Sequence, residues 1–580
     1  MQERITARTS VLLLVFVVLG VYYPAIFSPI NSVDDPGMIT YLLNVDSFNL
    51  REIFTPGAIY YRPLLLLSFI ADKYLWGLQE SFMHLENVLF HLVNVLLLFV
   101  LARRVAVIRK VNSTLVPLCV ALLFALHPIN SESVNWISGR TDPLACMFVL
   151  LSALFLFRPS SFPAVPPAAS VLCALSILAA CLAKETSIFF LPAAMLFPFF
   201  VADQKGERGS ILETALKSWP HLAIMFGTGL GFLAFRRIGS HAQDAGMNVV
   251  VNHVAGPQSA GNLVNLKLLL KAAGFYLKKL FVPFPLNFGI IHVSDLYLAV
   301  GVLVCLLGLW LLARRTLTAY FFLCALSVSC SAFLIPMLNL TWTPLAERYM
   351  YLPSTFFALG CVFGAERWEL RGQWRVALTA AFSVILLIGV YGSATRTLVW
   401  QDNLTLYQDT VKKSPDFIPA QNELATALYA HGKTRQANAV MNAMQVPASL
   451  INYQYALIAK ALVAMRAGDL KGGEQILEQA LREPGKREVD ISQRLLALYD
   501  VEVQKGIGTK AEYYPRAVRL LTRLHQLTGD AFYLYRLGTI HLAQKERKLA
   551  RESFLSAAAQ APASASYRLP ALKLSQKLAD

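Results

Sequence analysis

Long apolar runs, broken by short polar or basic stretches, fill the first two thirds of the chain; the pattern then changes. Runs near twenty residues recur, each long enough as a helix to cross a hydrocarbon layer about 30 Å thick. They predict membrane spans at 10–29, 83–101, 113–129, 143–158, 168–183, 187–202 and 219–235, then at 296–313, 317–337, 350–365 and 376–394. Two further apolar stretches, 62–78 and 264–282, are interrupted by Asp72 or by Lys271, Lys278 and Lys279. They read as amphipathic helices along the interface, and a spanning role for either reverses the sidedness of everything after it. The first run is long for a signal peptide and no small-x-small site follows it, so it reads as a span.

From about residue 395 apolar positions become periodic and charges dense. The fold expected is all-α: a polytopic membrane core over 1–395 with about eleven spans, then a second domain over 396–580. The tail reads as paired helices. In "YRLGTIHLAQKERKLARESFLSAAAQAP" (535–562), Leu537-Gly538, Ala550, Phe554, Ala558 and Pro562 sit at the positions of a tetratricopeptide repeat. The stretches 424–440 and 456–484 repeat that template more loosely, and a fourth pair is expected near 490–525. Stacked pairs form a solenoid with a concave groove, suited to an extended peptide; a scaffold or dimerisation arm is the plainer reading.

Composition agrees with the membrane reading. Residues are 56% hydrophobic and 15% charged, where a soluble chain is about half apolar and a quarter charged. The net charge of +16 would suit nucleic acid, but many basic residues cluster at span ends, among them Arg103, Arg104, Arg109, Lys110, Arg314, Arg315, Arg371 and Arg375. That is the bias of cytoplasmic loops, and no nucleic-acid partner is expected. All eight Cys lie in apolar runs without zinc or disulfide spacing, so they do not report the redox compartment.

Arg4 and Arg8 place the N-terminus inside, as do the basic loops 102–112, 203–218, 314–316 and 366–375. The C-terminal domain then lies outside. The outer face collects Asp34, Asp35, Arg62, Glu132, Arg140, Asp142, Lys184, Glu185, Arg236, Arg237, Glu347 and Arg348. Ionisable groups beside a bilayer are costly and mark functional cavities. Their gathering at one face, from loops far apart in sequence, points to an outward-opening active site rather than to a transport path at mid-membrane.

Several stretches carry a family resemblance: "VDDPGMITYLLN" (33–44), "YYRPLLLLSFIADKYLWGL" (60–78), "LLFALHPINSESVNWISGRTDPLACMF" (122–148), "LAKETSIFFLP" (182–192) and "PLAERYMYLPS" (344–354). With the repeat-bearing tail, the chain resembles the transmembrane and tetratricopeptide-repeat-containing O-mannosyltransferases and their bacterial relatives, which are GT-C glycosyltransferases. The resemblance implies a sugar donor on polyprenyl or dolichyl phosphate. It implies Asp34 as the base that takes the acceptor proton, with Asp35 as its neighbour or a metal ligand. Some members use a divalent metal and others do not, and one Asp-Asp pair leaves this open. Arg140, Lys184 and Arg348 are then candidates to grip the leaving phosphate; Glu132, Asp142 and Glu347 are candidates to position acceptor or sugar. Around 237–290 the chain departs from the animal members, which leaves sugar and acceptor open.

Plainer readings stand beside these. Asp34-Asp35 before Pro36-Gly37 also suits a solvated turn, and Lys184-Glu185 an ion pair at a hairpin. His84, His91 and His127 suit hydrogen-bonded packing, and Tyr349 and Tyr351 an interfacial belt. The expected function is sugar transfer from a polyprenyl-phosphate donor to a hydroxyl, that of a protein Ser or Thr presented by the repeats. The other readings are transfer to a lipid or cell-envelope glycan, and a non-catalytic membrane scaffold. The expected location is a bacterial inner membrane with periplasmic repeats, with the endoplasmic reticulum as the alternative. The sidedness is testable: a reporter fused after Gln401 should be active only in its exported form, and cytoplasmic activity would overturn it.

Overall fold

The computed structural model describes residues 6–43, 53–54, 61–158, 165–201, 210–239, 262–337, 343, 345–366, 372–444, 453–482, 488–561, 565 and 567–578. It divides into two compact units, Met1–Ser414 and Pro415–Asp580. Among the described residues both are helical, and the one β-bridge pairs Ile290 with Leu345. The expected domain boundary near 395 falls inside the helix Gln373–Trp400, and the next helix, Asn403–Lys413, still belongs to the first unit.

Helix is present at each run expected to span. Among the described residues six segments are long and apolar enough to cross a membrane: Ala7–Phe27, Glu80–Ile108, Ile137–Leu156, Leu296–Arg314, Leu317–Leu334 and Gln373–Trp400. Leu115–Ala125 with Pro128–Asn135, bent by 48°, would make a seventh. Pro167–Ala183, Glu185–Val201 and Trp219–Ala234 are shorter apolar helices. Local breaks account for the shortfall against the longer runs in the sequence. The run 113–129 stops being α-helical at Leu126, ahead of Pro128, whose ring removes a donor. The run 187–202 begins as the tight 3-10 turn Glu185–Phe190.

Two helices show a lipid face. Only 22% of the most apolar stretch of Leu296–Arg314 is buried, and 17% of that of Gln373–Trp400. Leu303, Leu306, Leu309 and Trp310 on the first, and Trp374, Ile385, Leu387 and Tyr391 on the second, are exposed. A patch of that size is stable against acyl chains and not against water, so the first unit is an integral membrane protein. Without a hydrophobic drive between helices in lipid, close backbone approach has to hold them together. The helices Asn262–Phe281 and Leu296–Arg314 cross where Gly274 faces the Tyr297 carbonyl and Gly301 faces the Leu270 carbonyl. A Cβ at either glycine would overlap those backbone atoms.

The second unit is a succession of helix pairs joined by short connections. Ile418–Ala430 pairs with Thr434–Ala443, Tyr453–Arg466 with Leu470–Arg482, Glu488–Gln504 with Lys510–Thr528, and Ala531–Ala543 with Arg547–Gln560; Arg568–Lys577 closes the row. Gly538 lies against the Phe554 ring, with no room there for a Cβ. Ala550, Phe554 and Ala558 are buried in the same small core; Pro562 lies outside the described residues. Thr509 and Glu512 form a reciprocal capping box at the start of Lys510–Thr528.

The glycine crossing gives a test. Gly301→Leu and Gly274→Val should each destabilise the protein by about 1–3 kcal/mol through overpacking, seen as a lower melting temperature in detergent. Gly20→Ala, at a position with open space around it, should change it by less than about 0.5 kcal/mol.

Candidate active site

The segment from Leu126 to Pro143 runs through the protein interior in short pieces: the 3-10 turn Pro128–Asn130, one α-turn Ser131–Asn135, the 3-10 turn Ile137–Arg140, then the helix Thr141–Leu156. Broken helix leaves backbone carbonyls without partners, and a buried carbonyl needs a donor. Polar side chains supply them. Asn130 Nδ2 donates to Phe124 O at 2.8 Å and Asn135 Nδ2 to Ser131 O at 2.7 Å. The helix Glu80–Ile108 contributes a stripe at 84, 87, 91 and 94, one face of a helix. Asn87 Nδ2 donates to Trp136 O at 2.7 Å and Asn94 Nδ2 to Pro143 O at 2.8 Å. His91 Nδ1 meets the Tyr351 hydroxyl at 2.7 Å, and His127 Nε2 the Leu280 carbonyl at 2.9 Å. These two histidines, like the buried Tyr351, therefore pack and hydrogen-bond inside the protein.

On that frame stand cations, each beside a carboxylate from another element. Glu132 is buried and grips the "AERY" turn: its Oε1 takes Arg348 Nη1 at 2.5 Å, and its Oε2 accepts the Glu347 and Arg348 amides at 3.1 and 3.3 Å. Arg348 also lies over the Trp136 ring at 5.0 Å, a stacking that favours guanidinium over ammonium. Glu347, also buried, pairs with Lys279 at 2.6 Å and accepts the Asn287 amide at 3.0 Å. Lys184 reaches Asp142 at 2.6 Å and stands 5.4 Å from the Tyr349 ring centre. Burial pushes the Lys184 ammonium down, and Asp142 works against that. Arg62 clasps Glu185 with two bonds, at 2.8 and 2.7 Å. Burial opposes the Glu185 charge, but the Arg62 guanidinium outweighs it and holds the carboxyl at about 2.

The two aspartates of the opening motif have different surroundings. Asp35, with no surface exposed, is fully engaged: Oδ2 accepts the Asn31 amide at 2.9 Å, and Oδ1 accepts the Ser138 amide at 3.0 Å and its hydroxyl at 2.5 Å. Burial pushes its carboxyl up to about 6 against those bonds. Asp34 is exposed, and its carboxylate makes no hydrogen bond or ion pair among the described residues. Although open to solvent it is ringed by protein, so desolvation raises its carboxyl above the usual range, while the charges of Arg348 and Arg62 pull it back. A carboxylate near cations, spent on nothing else and less acidic than usual, is suited to accept a proton.

Arg140 does not join this group. Its guanidinium is fully buried: Nη1 meets Asp72 at 2.7 Å and Glu86 at 3.1 Å, Nε donates to Asn87 Oδ1 at 2.8 Å, and Nη2 to Met83 O at 2.8 Å. Phe69 lies under it at 4.6 Å. All three nitrogens are committed, which corrects the expectation that it grips a phosphate. The sequence left the question of a divalent metal open. Asp35 spends its oxygens on N–H and O–H donors, and no group of three or more His, Cys, Asp or Glu is placed to hold an ion among the described residues. Arg62 and Glu185 both stand in motif stretches, but nothing in their spacing marks them as partners. Lys279 reads as interfacial from sequence, yet it is buried against Glu347. The side chains of Arg236 and Arg237 lie outside the described residues.

The fold and the site together define an integral membrane protein with several charged pairs and, among the described residues, an Asp34 carboxylate outside those pairs. No family model matches the chain. It is similar to curated protein O-mannosyl-transferases. With TMTC1 of Homo sapiens it is 32% identical over 159 residues, 26% of this chain and 18% of that protein. With TMTC3 of Mus musculus it is 24% identical over 400 residues, 63% of this chain and 42% of the relative. With F38B6.6 of Caenorhabditis elegans it is 21% identical over 395 residues, 65% of this chain and 52% of the relative. The chain thus spans from under a fifth to about half the length of these relatives.

The enclosure of Arg140 gives a test. Arg140→Lys leaves Asp72 and Glu86 with one ammonium in place of a three-pronged fork, and breaking a buried ion pair costs about 3–5 kcal/mol. A lower melting temperature with unchanged donor affinity in the folded fraction is expected. Normal stability with weakened donor binding would return Arg140 to the phosphate.

Proposed function

We propose that this chain is a membrane glycosyltransferase that moves mannose from a polyprenyl-phosphate donor to the hydroxyl of a Ser or Thr in a protein. The observation that carries the reading is the Asp34 carboxylate, unpaired among the described residues and within electrostatic reach of Arg348 and Arg62, with Lys184 in turn within reach of both cations. Similarity to protein O-mannosyl-transferases supports the sugar and the class of acceptor. In this reading the acceptor oxygen bonds to the anomeric carbon as the bond from that carbon to the phosphate oxygen breaks. The hydroxyl proton passes to Asp34, and the electron pair leaves on the lipid phosphate. A phosphate is already a weak base, so it needs fixed positive charge rather than a proton.

Arg348 and Lys184 supply that charge. Arg348 gives one nitrogen to Glu132, and Nη2 is turned towards the Tyr349 hydroxyl. Among the described residues the Lys184 ammonium donates to Asp142 alone, leaving protons for a ligand. Glu132, Asp142 and Glu185 hold the cations in place before the donor arrives, so little reorganisation is left for the reaction. Glu347 fixes the turn that carries Arg348. The paired helices of 415–580 act as a tetratricopeptide solenoid that presents the acceptor on the outer side of the membrane. About eleven crossings would put it there, in the periplasm if the membrane is a bacterial inner one.

Asp34→Asn keeps the size of the side chain but cannot take the proton; turnover should fall about 10²-fold or more with the protein still folded. Because the Asp34 carboxyl is raised, the acid limb of kcat/KM should lie above about pH 4, the ordinary carboxylate range. Activity is lost as pH falls through that point, since the protonated acid is no base. Arg348→Lys should instead raise KM for polyprenyl-phosphate mannose. Near-normal turnover in Asp34→Asn would remove it from the mechanism.

A further inference from the structure

The Asp34 carboxylate sits in a short loop, and the neighbours of Asp34 show what holds that loop. Asn31 Oδ1 accepts the Val33 amide at 3.0 Å, an Asx turn, and the Asn31 amide is held by Asp35. Asp35 anchors the far end on Ser138. The near end is anchored from the other end of the unit's sequence, by residues 401–407. Gln401 Nε2 donates to Pro24 O and Asn403 Nδ2 to Ile30 O, each at 2.9 Å. The Tyr407 hydroxyl, on the buried face of Asn403–Lys413, meets Ser32 Oγ at 3.0 Å and donates to Asn31 Oδ1 at 3.3 Å. A phenol has one proton, so with that proton on Asn31 the Ser32 hydroxyl donates to Tyr407.

The helix that carries Tyr407 is itself tied down. Asp409 bridges Arg396, on the preceding helix, and Lys413, each pair at 2.6 Å. Lys413 also donates to the Leu286 carbonyl at 2.6 Å. The Tyr407 ring packs on Phe288, which packs edge-on against Trp400 and Trp136. Trp136 is the ring under the Arg348 guanidinium. One rigid block therefore borders both the loop of Asp34 and the cation beside it.

We propose that Tyr407 is a positioning residue for the reaction: its hydroxyl, through Asn31 and Ser32, sets where the Asp34 carboxylate stands relative to Arg348. This rests on Asp34 being the base. Among the described residues the Tyr407 hydroxyl bonds to Asn31 and Ser32 and not to the groups proposed for the phosphate, so its removal acts on the proton-transfer geometry and not on donor affinity. A base moved by about 1 Å loses a large part of its effect, up to about 10²-fold.

The test uses the full chain in detergent or nanodiscs, with polyprenyl-phosphate mannose and a Ser/Thr-rich peptide. Tyr407→Phe keeps the ring, so its melting temperature should stay near that of the parent. The expected results are a kcat about tenfold lower, an unchanged KM for the donor, and faster amide exchange confined to residues 31–35 and 138. Ser32→Ala should have a similar effect, and the double variant should be no worse than the stronger single one, because the two share a hydrogen bond. Asn403→Ala, which loosens the same loop at Ile30, should repeat the pattern if Tyr407→Phe is poorly folded. Unchanged kcat and unchanged exchange in Tyr407→Phe, with Asp34→Asn inactive, overturn the brace and leave the base in place. Full turnover in Asp34→Asn overturns the reading beneath it, and the exchange experiment then reports on the brace alone.

Discussion

Between Leu126 and Pro143 the backbone turns repeatedly inside a buried region, and each carbonyl freed by a break in the helix has to find a donor there. Neither lipid nor packed hydrocarbon can supply one. The polar stripe of Glu80–Ile108 exists in answer to that demand: Asn87 and Asn94 reach the Trp136 and Pro143 carbonyls, and Ser393, on a distant helix, reaches Leu126 O. With that segment fixed, Glu132, Ser138, Arg140 and Asp142 each start from a set place. Glu132 caps the turn carrying Arg348, Ser138 receives Asp35, and Asp142 receives Lys184.

The charged pairs follow from the same economy. A lone charge beside a bilayer is costly, so each of these cations is kept with a carboxylate. The pairs bring together elements far apart in sequence: Arg62 with Glu185, Lys279 with Glu347, Glu132 with Arg348. Asp34 stands apart because its neighbour takes the structural task. Asp35 accepts from three donors, while the Asp34 carboxylate feels the charges of Arg348 and Arg62; in the proposed reaction the two adjacent acids divide support and chemistry between them.

Much was legible in the sequence. The apolar runs, the helical tail and the choice of Asp34, Lys184 and Arg348 as candidates all follow from pattern, charge bias and motif. The sequence alone did not separate Arg140 from Arg348. Both are arginines in motif stretches at the same face, yet one is enclosed by Asp72, Glu86 and Asn87 and the other keeps an edge near the site. Tyr407 was invisible as well, since its partners Asn31 and Ser32 lie 376 and 375 residues away.

The division has a physical origin. Period, hydropathy and local breakers act over a few neighbouring residues, so the sequence by itself determined helices, apolar faces and the turns at proline and glycine. Whether a charged side chain ends in a closed network or at an open site depends on which other elements pack around it. Desolvation and pairing are properties of that packing, and only the tertiary structure decided them: it closed Arg140 and Asp35 into the frame and, among the described residues, left the Asp34 carboxylate without a partner.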